Sequence, residues 1–253
     1  VNSFLAVCRP SRFLQGLLIV YEELRKAVYD ANVELQKQRL VIYSWGNVSG
    51  IDRSNGVIAI KPSGVMYDEL TPDKMVLVDL DGNIIEGTLR PSSDTPTHLE
   101  LYRNLKAIGG ICHAHPPNAT MWAQACREIP CFGTTSADYF YGSIPVTEVM
   151  TEDEIRSDYE LNTGKCIVRR FTGIDPTQMP AILVANHAPF TWGNSAAAAV
   201  ESMVVLEQTA AMALGTITIN PEQRPISKAL LDKHYLRKHG KDAYYGQKKQ
   251  NTK

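Results

Sequence analysis

Two histidines one residue apart, His113 and His115, close the apolar run GGICHAH in a chain with six histidines in all. Alternate residues of a strand project from the same face. Two imidazoles at this spacing therefore suit a shared metal ion, and they suit a pair of packed strand side chains equally well. His187 tips the balance. It also closes an apolar run, AILVANH, and HAPFTWG follows there much as HPPNATMW follows at His115. Three neutral imidazoles with one position left open are a site for catalysis by zinc or a similar divalent ion. A structural zinc site would be closed by four ligands, often cysteines, and Cys8, Cys112, Cys126, Cys131 and Cys166 form no such set.

A second group of residues suits an anion. Asp94 stands at an expected helix start behind Ser92 and Ser93. Simple helix capping accounts for an aspartate there. Two hydroxyls and free N–H groups at a helix N-terminus also suit a phosphate. KPSG (Lys61–Gly64) adds a cation, the Ser63 hydroxyl and a glycine that lets a ligand approach the backbone. WGN, with Gly46 and Asn47, offers a similar approach. Each motif alone is ordinary turn material; together they point to a phosphorylated substrate.

The elements that must hold these residues follow from periodicity. Leu24, Val28, Ala31 and Leu35 recur at helical spacing from Tyr21 to about Leu35. Ser54-Asn55-Gly56 joins two apolar runs as a hairpin, and Asp81-Gly82 turns a second one. Two early hairpins imply a largely antiparallel sheet. Thr95 is placed to cap a helix with Pro96 as its first residue. A strand at GGICHAH leads into a helix from about Asn118 to Cys126. Thr151–Glu154 reads as a capping box, and Ala181–His187 as a buried strand. A long alanine-rich helix is expected from about Ser195 to Leu214, stopping at Gly215, and another from Ser227 to His239.

The bulk numbers set outer bounds. A chain of 253 residues, 44% hydrophobic and 21% charged, can build one large α/β domain. Its net charge of −1 gives no reason to expect nucleic acid or an acidic membrane as partner. The odd, scattered cysteines suggest reduced thiols and a cytoplasmic protein. No apolar run approaches the roughly 20 residues that span a bilayer. Residues 1–19 have arginines within their apolar stretch and read as an extension outside the working domain, which covers 20–247. Residues 248–253 read as a basic, solvated tail.

Taken in order, WGNVS (Trp45–Ser49), IKPSGV (Ile60–Val65), RPSSDTPTH (Arg90–His98), the HxH strand, GTTSADYFYG (Gly133–Gly142) and LLDKHYLRKHGKDAYYGQ (Leu230–Gln247) resemble the epimerase branch of the class II aldolase family. The resemblance runs from about Val20 to Gln247. It implies a three-layer α/β/α sandwich around a mainly antiparallel sheet. It also implies a homotetramer with active sites between subunits. A divalent metal, usually zinc, would be held by His113, His115 and His187, with Asp94 as a further ligand. Substrate phosphate would lie against Gly46, Asn47, Ser63, Gly64, Ser92 and Ser93, with Lys61 nearby. Asp138 and Tyr245 match the family's acid/base pair, Tyr245 reaching in from the adjacent subunit; His234 lies close to the same place.

The reaction so implied is inversion of L-ribulose 5-phosphate at C4 to give D-xylulose 5-phosphate. The C4 proton is not adjacent to the carbonyl and is hard to remove. The family instead breaks the C3–C4 bond, stabilises the enediolate through the metal, turns the aldehyde and re-forms the bond. Three departures stand out. Pro116, Pro117 and Asn118 replace a small polar residue and a further histidine, Ala188 replaces glycine after His187, and Ser136 replaces histidine. Two other readings remain at this stage: an aldolase of the fuculose or rhamnulose phosphate type, and a non-catalytic scaffold like the adducin heads. Asp94 in place of glutamate and the intact tyrosine segment argue against the first; retention of all three histidines argues against the second.

Overall fold

The computed structural model describes residues 12–246, with side chains from Tyr21 onward. Cys8, the start of the expected extension and the basic tail at 248–253 lie outside the described residues. Seven strands form one sheet in the order β4-β3-β2-β1-β5-β7-β6. They are β1 (Asn47–Asp52), β2 (Val57–Ile60), β3 (Val76–Asp79), β4 (Ile84–Glu86), β5 (Gly110–His113), β6 (Ala181–Leu183) and β7 (Pro189–Gly193). Every neighbouring pair is antiparallel. Both early hairpins form as expected. Asp52 accepts from Ser54 N (2.9 Å) and Asn55 Nδ2 (2.6 Å) in the first, and Asp79 accepts from Asp81 N (2.9 Å) and Asn83 N (2.8 Å) in the second.

Helices cover the two faces. On one lie α1 (Arg12–Lys37) and α7 (Ala196–Ile219), packed against each other. A Cβ on Gly50 would meet Val28 at 3.0 Å, and one on Gly110 would sit 2.3 Å from Ala196 N. A Cβ on Gly193 would sit 2.6 Å from the Ala198 Cβ. Bare strand positions thus let α7 lie directly on the backbone of β5 and β7. On the other face α2 (Thr95–Asn104) packs against α6 (Tyr159–Arg170). Ser49, one residue from Gly50 and so on the opposite face, bonds His98 Nδ1 (2.7 Å) and Tyr102 OH (2.8 Å) of α2. The result is the expected three-layer α/β/α sandwich, its core made by Val28, Leu35, Ile58, Ile111, Phe190, Trp192, Met203 and Leu206 among others.

The short helices α3 (Pro117–Gln124), α4 (Thr134–Ala137) and α5 (Glu152–Arg156), with α8 (Lys228–His239), fill the ends. The capping box of α5 forms, and Ser227 caps α8. The four described cysteines are free.

Five expectations need correction. The first helix begins at Arg12, not Tyr21, because no proline falls within Arg12–Lys37 to stop a helix already held by its packed half. The N-cap of α2 is Asp94; Thr95 is already helical and turns its hydroxyl back to Ser92 O (2.6 Å). The run from Ala181 to His187 is not one strand. It folds back after Leu183, with Asn186 in the left-handed region at φ 61° and Val184 N donating to Ala188 O (3.0 Å). Further on, α7 passes through Gly215 to Ile219. Glycine there costs about 1 kcal/mol, and packing of Ile217 on the core carries the helix onward. At 24 residues α7 is long and apolar enough to cross a membrane, contrary to the reading that no apolar run approaches that length. Here it covers the sheet, with Ala199, Val200, Met203, Leu206 and Ala210 buried.

Candidate metal centre

β5 ends at His113, between Asn47 on β1 and Phe190 on β7. The His113 ring stacks on Phe190 with centroids 4.1 Å apart. Its Nδ1 lies 2.9 Å from Pro189 O. A carbonyl only accepts, so the ring proton sits on Nδ1 and the Nε2 lone pair faces outward, the arrangement that orients metal-binding imidazoles. His115 lies two residues further, just past the strand, with Nε2 3.2 Å from His113 Nε2. His187 comes from the β6–β7 turn, which Asn186 N pins to Ala123 O of α3 (2.9 Å). All three ring pairs have centroids 4.9 Å apart. One nitrogen from each ring falls within 4.8 Å of the others. The structure thus brings together three histidines that the sequence could only propose to meet.

Asp94 joins them from the start of α2. It makes no capping bond; its Oδ2 accepts from Asn47 Nδ2 (2.6 Å) and lies 4.0 Å from His113 Nε2. Burial works to raise this carboxyl, but His113, His98 and the Asn47 amide outweigh it and hold it below its ordinary value. Burial lowers His113 and His115, and lowers His187 to about 4. All three rings are therefore neutral at physiological pH, as metal ligands must be. His187 Nδ1 is buried and has no hydrogen-bond partner among the described residues. Three convergent imidazole nitrogens form a donor set that fits a zinc-class ion, and the Asp94 carboxylate stands beside it, 4.0 Å from His113 Nε2.

The expected phosphate motifs lie at the same end of the sheet. Lys61–Gly64 and Arg90–Ser93 run side by side: Ser63 N donates to Arg90 O and Ser92 N to Lys61 O, both at 3.0 Å. Gly64, at φ 71°, has nothing within 4 Å of where a Cβ would be, so the backbone there is open to a ligand. Gly46 is constrained by contrast: a Cβ would strike His113 O at 2.9 Å. Asn47 enters β1 beside it, placed by Asn32 of α1, which bonds both Val48 N (3.0 Å) and Val48 O (3.2 Å). Lys61 is 2% exposed and its Nζ donates to Ser44 O (3.0 Å). Burial, with no carboxylate partner among the described residues, lowers it to about 8.

Asp138 and Tyr245 form a separate cluster. Asp138 accepts from Arg237 Nη2 (2.8 Å to Oδ2) and lies 3.0 Å from His234 Nδ1; Lys238 Nζ is 3.4 Å away. Burial pushes this carboxyl up, but Arg237, His234 and Lys238 bring it below its ordinary value. The exposed Tyr245 ring lies over Arg237 and Lys238, 5.0 and 4.6 Å from their charged ends. Among the described residues this cluster shares no hydrogen bond, ion pair or ring contact with the three histidines. Sequence reasoning passed over Arg237 altogether, although it stands three residues after His234 and so on the same face of α8. It also passed over Tyr159, whose ring lies 6.4 Å from His187; no spacing marked it.

Comparison with known proteins agrees with this geometry. The family model for the class II aldolase and adducin N-terminal domain matches residues 26–214. An L-ribulose-5-phosphate 4-epimerase, UlaF, of Salmonella paratyphi B is 50% identical over 227 residues, covering 90% of this chain and all of the relative. The protein of the same name from Salmonella typhi gives the same figures. Among solved structures, an L-fuculose 1-phosphate aldolase superposes with TM-score 0.71 at 24% identity, over 84% of this chain and 94% of its own. The L-fuculose-1-phosphate aldolase of Thermus thermophilus gives 0.63 at 24%, over 79% and 98%. At such identities these last likenesses are of fold alone. With the family model spanning residues 26–214 and half of 227 aligned residues identical in relatives matched over their full length, the chain belongs to the class II aldolase family.

Proposed function

We propose that the chain is an isomerase that interconverts L-ribulose 5-phosphate and D-xylulose 5-phosphate by inversion at C4. The observation that carries this is the convergence of His113, His115 and His187, with Asp94 4.0 Å from His113, beside the paired loops Lys61–Gly64 and Arg90–Ser93. The 50% identity to proteins named for this epimerase directs the choice of reaction. The aldolase reading has support from fold alone.

His113, His115 and His187 would hold a divalent cation, zinc being the best fit, and Asp94 would complete the set. When bound, that ion supplies positive charge where the ketose oxygens gather negative charge as the C3–C4 bond opens. The remaining work falls to the chain. Backbone and hydroxyl donors at Gly46, Asn47, Ser63, Gly64, Ser92 and Ser93 would grip the phosphate, with Lys61 adding charge. The two-carbon aldehyde is thereby kept in place while it turns. Asp138 and Tyr245 would take and return the C4 hydroxyl proton from opposite sides. Since one chain keeps that pair apart from its histidines, the active site is read as shared between copies, with a homotetramer as the assembly. A cytoplasmic location fits a phosphosugar substrate.

The test is a coupled assay for D-xylulose 5-phosphate on the purified, metal-replete protein, with a chelator-treated control. No turnover sinks the epimerase reading. Release of free aldehyde as the main product would replace it with the aldolase.

A further inference from the structure

The prolines behind the paired histidines create a difficulty that is solved from another helix. Pro116 is the N-cap of α3 and Pro117 its first residue. Pro116 carries no side-chain acceptor, so the first N–H groups of the helix, on Asn118 and Ala119, need a partner from elsewhere. Glu207 of α7, 6% exposed, supplies it. Its Oε1 accepts from Asn118 N (3.0 Å) and Asn118 Nδ2 (2.7 Å), and its Oε2 from Ala119 N (2.8 Å). A carboxylate also suits the positive end of a helix. One turn on, Trp122 Nε1 donates to Ala210 O (3.1 Å), a second tie between the same two helices.

His115 immediately precedes this start. His113 is fixed by Pro189, but His115 is the most exposed of the three rings, and among the described residues its one polar side-chain contact is with His113 Nε2. Its place is therefore set by its backbone: the end of β5 on one side and the first turn of α3 on the other. We propose that Glu207 is a positioning residue for His115, acting as a surrogate cap that fixes the first turn of α3 and so holds the His115 nitrogen where the other two rings converge. The proposal rests on reading the three imidazoles as metal ligands.

The experiment is zinc competition against a chromophoric chelator on the full-length protein. Wild type should bind one zinc per chain; failure there overturns the ligand reading itself. Glu207→Gln should bind zinc about 10–100-fold more weakly, keep its far-ultraviolet circular dichroism, and regain turnover in excess zinc. Trp122→Phe, which cuts the other tie, should lower stability but leave zinc affinity within about twofold of wild type. Affinity of E207Q within that same margin, or an equal loss in W122F, overturns the proposal. Should E207Q fail to fold, Asn118→Ala carries the test. It removes one of the three bonds and should weaken zinc about threefold; unchanged affinity overturns the proposal.

Discussion

Asp94 occupies the N-cap of α2, yet its carboxylate bonds Asn47 and not the helix it begins. Aspartate is a preferred capping residue, and here that use is given up for a place 4.0 Å from His113. Asp94→Asn should therefore leave the metal-free protein within about 0.5 kcal/mol of wild type in urea, since no helix N–H depends on it. Zinc affinity should fall about tenfold or more. A large loss of metal-free stability would show that the residue caps after all.

Acid should destabilise the metal-free chain earlier than its carboxylates would. Burial lowers His98 to about 3 and His187 to about 4, against 6.5 for a free ring. Between those values and 6.5 the unfolded chain holds more protons than the folded one. Stability is thus fully present above pH 6.5 and is lost as pH falls toward 4, by about 1.4 kcal/mol per pH unit for each ring. Urea midpoints of metal-free protein from pH 7.5 to 4.5 measure this. A flat profile would contradict it.

Lys61 has the opposite standing in the two states. Its folded value of about 8 lies below the ordinary 10.5, so below pH 8 the folded chain carries a buried charge that opposes folding. Lys61→Met should compare most favourably with wild type below pH 8, and the comparison should worsen as pH rises from 8 to 10.5. The variant's KM for the phosphorylated ketose should rise about tenfold, separating the residue's use from its burden. Steady-state kinetics beside pH-dependent melting read both.

A shared active site makes a sharper prediction. Tyr245→Phe alone should lower turnover by about 100-fold with metal content unchanged, and His187→Gln alone should lose metal. Co-expressed in equal amounts, the two chains should recover activity at about one-quarter of the sites by random assortment. No recovery would place Tyr245 at the histidines of its own chain.

The parts of this molecule written in local sequence were legible. Asn55-Gly56 and Asp81-Gly82 turned where expected, and Thr151 and Ser227 began helices, because each signal acts within four residues. The three histidines were legible as residue types, while their meeting was not, since His187 reaches the site through a hairpin. Asn186, a residue that tolerates left-handed backbone, was the one local sign of that turn. Glycine at 215 misled because a helix end is also decided by what packs beyond it. Thr95 misled as a cap because the helix begins one residue earlier, at Asp94, whose side chain takes a tertiary partner and leaves no capping bond as a sign. Arg237 and Glu207 were hidden for a common reason: each acts on a residue about 90 to 100 positions away.

Gly110 and Gly193 lie opposite each other on β5 and β7, on the face turned away from the histidines. Both are narrow seats for α7, where any added methyl would strike its first turns. A larger residue at either seat would tilt α7 outward, and with it Glu207 and the start of α3. Two residues without side chains, on the far side of the sheet, would then govern how well His115 is aimed. Substitutions remote from the ligands and touching none of them would be read out as altered metal retention.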